Sequence, residues 1–156
     1  MTNTGAQPGQ TAPPIDLPDQ HGQPWRLQDQ RGKVVVLLFY PADDTPVCTK
    51  QLCSVRDNWD RYRAAGADVI GLNTDSVQKH GRFAAQHELP LRLLSDATGS
   101  VVRAYDMKNL FGTKRGVVVI DGDGIIRYRH TVLPIFRPTD DEVLAAIQRA
   151  GKTAGA

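Results

Sequence analysis

The chain has 156 residues, of which 40% are hydrophobic and 23% are charged, a composition typical of a soluble globular domain. Its 19 basic and 17 acidic residues give a formal net charge of +2, too small to indicate binding to nucleic acid or to a membrane surface. No apolar run approaches the about 18 residues of a membrane span, and the polar N-terminus has no signal-peptide pattern. We therefore predict a single cytoplasmic domain at 1–156, with loose tails at 1–12 and 151–156.

The predicted elements follow hydrophobic periodicity and the residues that start and stop helices. The run KVVVLLFY is continuous and β-branched, as in a strand that is buried on both faces. Apolar residues spaced by three and four indicate helices, and DGDG predicts a hairpin turn rather than a calcium loop. In chain order we predict a strand at 33–40, a helix at 46–65, a strand at 68–73, a helix at 74–88, a short strand at 91–96, a short helix at 98–106, hairpin strands at 116–120 and 125–130, and a helix at 139–150.

Capping residues mark the start of three of these helices. Thr45 followed by Pro46 begins the first, Thr74 or Asp75 caps the second, and Thr139 caps the last. Strands and helices alternate through most of the chain, and the last two predicted strands form an antiparallel hairpin. This order predicts an α/β fold with a central mixed β-sheet flanked by helices on both faces.

Both cysteines of the chain, Cys48 and Cys53, lie in PADDTPVCTKQLC. With Pro46 as the first helical residue, Cys48 is the third, where a thiolate meets unpaired backbone N–H groups and the positive end of the helix dipole. Raising the thiolate-to-thiol ratio a hundredfold takes about 2.7 kcal/mol, whereas a helix terminus typically supplies about 0.3–1 kcal/mol and up to about 2 kcal/mol in partly buried sites. We therefore expect a cation from elsewhere in the chain near Cys48.

Cys53 lies about 140° around the helix from Cys48 and about 7.5 Å further along its axis. A disulfide needs Cα atoms within about 7 Å and converging side chains, so the two thiols cannot bond while the helix is intact. If they do bond, the first turns must unwind, and the spacing then predicts a redox-coupled switch. The alternatives at this point are that the cysteines are small buried hydrophobes or metal ligands, although C-x4-C without a second pair disfavours a metal. The four histidines have no motif around them and are interpreted as structural or solvent-facing.

The segment FYPADDTPVCTKQLCSVRD resembles the peroxiredoxins, specifically the bacterioferritin comigratory protein or Q-type branch. The segments GLNTDSVQKHGRFAAQHELPLRLLSDATGSVVRAYD and KRGVVVIDGDGIIRY are similar to the same branch, so the resemblance covers about residues 12–150. It implies a thioredoxin-like fold and a thiol peroxidase that reduces hydrogen peroxide and organic hydroperoxides without a cofactor or a metal. It also favours a monomer, because both cysteines lie in one chain.

The resemblance implies a role for five residues. Cys48 would be the peroxidatic cysteine, oxidised to a sulfenic acid, and Cys53 the resolving cysteine, which forms an intramolecular disulfide with it. Thioredoxin or a similar dithiol would then reduce that disulfide. Thr45 would hydrogen-bond the peroxide, Pro41 would shield the site from water, and Arg115 would be the missing cation.

Some alternatives stay open at the level of sequence. Arg115 could be a surface cation at a strand end, and Thr45 could either cap the helix or bind peroxide. The same disulfide switch could serve a redox sensor or a stress holdase. A thioredoxin-type oxidoreductase would share the fold, but it should carry C-x2-C, which this chain lacks.

Overall fold

The computed structural model describes residues 6–110, 112–133 and 136–154, and within these ranges it has nine strands, five α-helices and a 3-10 turn at Leu27–Gln30. The strands are β1 (Asp16–Pro18), β2 (Pro24–Arg26), β3 (Val34–Phe39), β4 (Ala67–Asn73), β5 (Arg92–Ser95), β6 (Lys108–Asn109), β7 (Gly112–Thr113), β8 (Arg115–Ile120) and β9 (Ile126–Val132). The helices are α1 (Pro46–Asp57), α2 (Trp59–Ala64), α3 (Val77–His87), α4 (Ser100–Ala104) and α5 (Asp140–Ala154). None of the described helices is long and apolar enough to cross a membrane.

A five-stranded sheet in the order β5-β4-β3-β8-β9 forms the centre of the fold. Strands β3, β4 and β5 are parallel, whereas β8 is antiparallel to β3 and β9 is antiparallel to β8. Every residue of β3 is buried, as its continuous apolar run predicts. The predicted central mixed sheet is therefore confirmed.

The two faces of the sheet carry separate apolar clusters, because successive side chains of β3 point to opposite sides. Val36 and Leu38 lie in the cluster covered by α1, α2, α3 and α5, which also contains Cys48. Val35 and Leu37 lie in the other, which is covered by α4 and the N-terminal segment. Helices flank both faces, as the sequence predicts.

The end of the first predicted helix and the start of the second differ from prediction. The helix expected at 46–65 is interrupted at Asn58, whose backbone leaves the helical region at φ −109° and ψ 18° and whose side-chain amide donates to the Ser54 carbonyl at 2.9 Å. The asparagine side chain competes with the helix for backbone hydrogen bonds in this way, which explains the break. The apolar stripe nevertheless continues on both sides of it. Helix α3 is capped by Ser76, which accepts from Lys79 N at 3.1 Å, so Thr74 and Asp75 were the wrong caps.

The chain ends are more ordered than expected. Residues 6–12 were predicted to be loose, but Ala6 and Ala12 are buried, and Gly9 N donates to the Ile126 carbonyl at 2.8 Å. Helix α5 continues to Ala154, past the predicted end at 150, and its predicted cap is confirmed because Thr139 Oγ1 accepts from Glu142 N at 3.1 Å. The rest of the predicted tails, 1–5 and 155–156, lies outside the described residues.

Asp140, the first residue of α5, joins three polar side chains from α1, α2 and the break between them. Its carboxylate accepts from Tyr62 OH at 2.5 Å, from Asn58 Nδ2 at 3.3 Å and from Ser54 Oγ. The neighbouring Asp141 instead makes an exposed ion pair with Arg61. Asp140 therefore ties the end of α1 and the whole of α2 to α5, an anchor that we call the Asp140 clamp.

We expect Asp140→Ala to lower the free energy of unfolding by about 2–3 kcal/mol, because it removes a charged acceptor from the buried Tyr62 hydroxyl. The matched control Asp141→Ala should cost less than about 1 kcal/mol, since exposed ion pairs contribute little. Both residues lie in the first turn of α5, so their effects on the helix dipole cancel in the comparison. Urea denaturation of the reduced proteins measures the difference, and equal losses would show that the clamp contributes nothing.

Candidate active site

The topology of the sheet brings two distant segments to one edge. Because β8 runs antiparallel to β3, the last residue of β3, Phe39, pairs with Gly116, the second residue of β8. Arg115 therefore lies beside the loop that leaves β3, and the same loop leads directly into α1. The strand end, the loop and the helix start meet at this edge.

Helix α1 begins as the sequence predicts. Thr45 is its N-terminal boundary residue with extended backbone (φ −91°, ψ 150°), Pro46 is the first helical residue, and Thr49 N donates to the Thr45 carbonyl at 2.8 Å. Cys48 is thus the third helical residue, and it is fully buried. Its sulfur lies where the orphan N–H groups of a helix start favour negative charge.

Arg115 supplies the cation that the energetic argument requires. Its Nη2 donates to Cys48 Sγ at 3.0 Å, and its side chain is buried, with 2% of the residue exposed. The alternative of a surface cation is therefore wrong. Unit charges at about 4 Å attract by about 4 kcal/mol at an effective dielectric constant of about 20, before desolvation is subtracted. The guanidinium places a full unit charge in contact with the sulfur, whereas a helix terminus carries about half a charge.

Gln51 is a site residue that the sequence analysis missed. It is buried, and its Oε1 accepts from Arg115 Nη1 at 2.6 Å. One turn beyond Cys48 on α1, it lies on the same helix face as the cysteine. A polar residue within the buried stripe of α1 was the available signal, because buried polar groups usually have a specific partner. Gln51 and Cys48 together hold the two ends of the guanidinium.

The Thr45 hydroxyl does not cap α1. Its Oγ1 donates to the Ala42 carbonyl at 3.1 Å, and no hydrogen bond joins it to the amides of the first turn. The predicted side-chain cap is therefore wrong. A hydroxyl that donates one hydrogen bond still has lone pairs that can accept another. Pro41 is half-buried at the bend after β3, in the same loop.

Cys53 is half-buried on α1 and packs against the apolar cluster that contains Cys48. Both thiols are free, and α1 is helical through both positions. The structure thus has the arrangement in which helix geometry separates the two sulfurs.

A buried polar cluster lies under the loop that precedes α1. Asp43 accepts from Tyr40 OH at 2.6 Å and contacts His80 Nδ1 at 2.6 Å. Burial, followed by the Asp43 carboxylate, raises the pKa of Tyr40 well above its ordinary value, so the phenol remains a donor. His80 is therefore a buried, hydrogen-bonded histidine. The sequence analysis did not identify its partner.

No cluster of three or more His, Cys, Asp or Glu side chains suited to a metal ion occurs among the residues that the structure describes. At the start of α1, a buried thiol lies next to a buried guanidinium. Such an arrangement favours nucleophilic attack by sulfur on a small electrophile.

Comparison with known proteins gives consistent matches. The AhpC/TSA family matches residues 8–129. A relative named putative peroxiredoxin bcp, from Coxiella burnetii, is 43% identical over 126 aligned positions, and the match covers 76% of this chain and 83% of the relative. Chloroplastic peroxiredoxin Q from Sedum lineare is 43% identical over 122 aligned positions, and the match covers 76% of this chain and 66% of the relative.

Solved structures agree in fold. Peroxidoxin BcpB from Mycobacterium tuberculosis superposes with a TM-score of 0.84 at 33% identity, covering 93% of this chain and 98% of the other. The bacterioferritin comigratory protein of Xanthomonas campestris superposes with a TM-score of 0.80 at 25% identity, covering 86% and 90% of the two chains. The predicted thioredoxin-like fold is thereby confirmed, and fold and site together define a protein of the peroxiredoxin class.

The chain belongs to the AhpC/TSA family, and its relatives at 40–43% identity are named peroxiredoxin Q or bcp. The resemblance identified from the cysteine motif is therefore confirmed. The chain spans 66% and 57% of the length of two plant relatives, and 83% of the Coxiella relative.

We expect Gln51→Met, which keeps the side-chain volume but removes the oxygen acceptor of Arg115, to lower the free energy of unfolding by about 1–3 kcal/mol. Lys50→Met, the exposed neighbour on the same helix, is the matched control and should cost less than about 0.5 kcal/mol. Urea denaturation of the reduced proteins measures both. Equal stability of the two variants would contradict a structural role for the amide.

Proposed function

We propose that this protein is a thiol peroxidase that reduces hydrogen peroxide and organic hydroperoxides. The observation that carries the proposal is the 3.0 Å contact between Arg115 Nη2 and the sulfur of Cys48 at the start of α1. The Cys48 thiolate attacks one peroxide oxygen, forming an S–O bond as the O–O bond breaks. The leaving hydroxide or alkoxide takes a proton to become water or an alcohol, and Cys48 is left as a sulfenic acid.

The neighbouring groups suit this reaction. The Arg115 guanidinium can stabilise the thiolate first and then the negative charge that develops on the leaving oxygen. The Thr45 hydroxyl, which donates to Ala42, can accept a hydrogen bond from the peroxide O–H and so orient it. Pro41 has no N–H to offer water and lies half-buried in the same loop, which is consistent with shielding the thiolate.

In the second step of the proposed cycle, the Cys53 thiolate attacks the Cys48 sulfur and expels hydroxide, which is protonated to water. The product is an intramolecular disulfide, and thioredoxin or a similar dithiol reduces it by thiol–disulfide exchange. The disulfide requires the start of α1 to unwind, because the two cysteines are five positions apart in one helix. The Asp140 clamp holds Ser54, Asn58 and Tyr62, so we infer that unwinding stops at Ser54.

We propose a single-domain monomer, since one chain supplies both thiols of the cycle. A cytoplasmic location would keep these thiols reduced between turnovers, although the names of the plant relatives place those proteins in chloroplasts. The proposed partners are a peroxide and a dithiol reductant, with no nucleic acid, membrane, cofactor or metal.

We expect the reduced protein to consume hydrogen peroxide with thioredoxin, thioredoxin reductase and NADPH, and one equivalent of peroxide to produce a Cys48–Cys53 disulfide visible by mass spectrometry. Cys53→Ser should react once and accumulate sulfenic acid, which dimedone traps at Cys48. Cys48→Ser, the matched control, should not react.

Two outcomes would contradict the proposal. Absence of peroxide consumption with any thiol donor would exclude a peroxidase and leave the redox-sensor or holdase alternative. Normal thioredoxin-dependent turnover of Cys53→Ser would exclude resolution by Cys53.

We also expect oxidation to speed amide hydrogen exchange at residues 49–57 but not at 58–64, because the amides of 49–57 donate to carbonyls of the unwinding segment, whereas the Asp140 clamp anchors the break and α2. Hydrogen exchange with mass spectrometry, before and after one equivalent of peroxide, makes the comparison. Equal protection of 49–57 in both states would contradict unwinding. Faster exchange throughout 49–64 would show that the clamp does not limit it, and Asp140→Ala should produce that pattern.

A further inference from the structure

The loop between β3 and α1 is held from below by a buried acid–base pair. Asp43 and His80 have no exposed side-chain surface, and Asp43 Oδ2 lies 2.6 Å from His80 Nδ1. The other ring nitrogen, Nε2, lies 3.0 Å from the Leu94 carbonyl, and Tyr40 OH donates to Asp43 Oδ1. The pair thus links the loop to α3, to β5 and to the end of β3.

The geometry fixes the protons of this pair. The Leu94 carbonyl can only accept, so His80 Nε2 must carry a proton. The 2.6 Å separation between Nδ1 and Asp43 Oδ2 requires a second proton between them. Whichever of the two atoms holds that proton, the pair is neutral overall, which is compatible with complete burial.

A second acid holds the backbone of the same loop. Asp43 N donates to Asp75 Oδ2 at 2.8 Å, and Lys79 Nζ lies 3.4 Å from that oxygen. Asn73 Nδ2 lies between the two acids, 3.5 Å from Asp43 Oδ1 and 3.4 Å from Asp75 Oδ2. Both the side chain and the backbone of Asp43 are therefore fixed. Two adjacent residues of α3 contact the two acids, Lys79 contacting Asp75 and His80 contacting Asp43.

The fixed residue controls the conformation of the residues around it. Asp44, which follows Asp43, has a left-handed backbone with φ +65°, which costs a non-glycine residue about 1–2 kcal/mol. Ala42, which precedes Asp43, accepts the hydroxyl hydrogen bond of Thr45. If Asp43 lost its hydrogen bonds, the strained turn would relax, and the Thr45 hydroxyl would lose its fixed position at the start of the helix that carries Cys48.

We propose that Asp43 and His80 are positioning residues for the reaction of Cys48, acting through Thr45 without touching the peroxide. The inference rests on the proposed peroxidase function, and it assigns a role to a pair that lies outside the cysteine–arginine site. A displacement of about 1 Å at a reacting group can cost about a hundredfold in rate, so a loop anchor can affect the chemistry strongly.

The test measures the second-order rate constant for oxidation of Cys48 by hydrogen peroxide in a Cys53→Ser background, where no disulfide follows. Asp43→Ala should lower it about 10- to 100-fold. Asp43→Asn should keep it within about threefold, because the amide can donate to a neutral His80 Nδ1 and accept from Tyr40 OH. This rescue separates positioning from charge.

A double-mutant cycle with Thr45→Val tests the route of the effect. Once the Thr45 hydroxyl is absent, Asp43→Ala should change the rate constant little, because the group that it positions is gone. Asp121→Ala is the matched control. Asp121 is also a buried acid in a turn, accepting from Asp123 N, Ile125 N and Arg127 Nε, but it lies beyond the far end of β8. It should lower stability and leave the rate constant unchanged.

The outcomes separate this inference from the proposed function. If the Cys53→Ser protein does not react with peroxide, the function itself fails. If it reacts and Asp43→Ala reacts equally fast, or if Asp43→Ala and Thr45→Val act additively, positioning through Thr45 is wrong. If Asp43→Ala does not fold, Tyr40→Phe replaces it, since it removes one hydrogen bond to Asp43 and keeps the ring. In the Cys53→Ser background, Tyr40→Phe should lower the rate constant, and this decrease should be absent when Thr45→Val is also present. A rate constant equal to that of Cys53→Ser alone overturns the proposal.

Discussion

The contact between the Arg115 guanidinium and the Cys48 sulfur is the interaction on which the arrangement of the site depends. The two residues are 67 positions apart in sequence, yet the two atoms lie 3.0 Å apart. The antiparallel pairing of β8 with β3 makes this possible, because it places the first residue of β8 beside the last residue of β3. A parallel β8 would carry Arg115 to the other end of the sheet, about 16 Å away at about 3.3 Å per residue.

Much of this frame could be predicted from the sequence, because the responsible signals are local. The buried strand β3 follows from one apolar run, and the start of α1 follows from Thr45 and Pro46. The need for a cation near Cys48 follows from comparing the strength of a helix terminus with the stabilisation that a thiolate needs. The choice of Arg115 for that role came from the family resemblance, since no local pattern marks it.

The parts that could not be predicted depend on contacts between distant residues. Gln51 is polar within a buried stripe, but its partner Arg115 is 64 positions away. Asp43 and His80 are 37 positions apart and meet only after β4 and α3 have packed. The break at Asn58 was missed because its neighbours keep helical periodicity across it. Periodicity reports which face of an element is buried, and it carries no information about which polar groups meet there.

The proposed cycle requires α1 to be ordered while Cys48 is reduced and to open once it is oxidised, and the charges of the site favour that order of events. A buried guanidinium is costly unless an anion accompanies it, and in the proposed cycle the Cys48 thiolate is such an anion. In that cycle, oxidation to a sulfenic acid removes this negative charge, so the contact between Arg115 and Cys48 weakens and the first turns of α1 lose part of what holds them. The end of α1 remains attached through Ser54 and Asp140, whose contact does not involve the reacting sulfur. In the proposed cycle, oxidation therefore weakens the start of α1, the segment that carries both cysteines and that must open for them to meet.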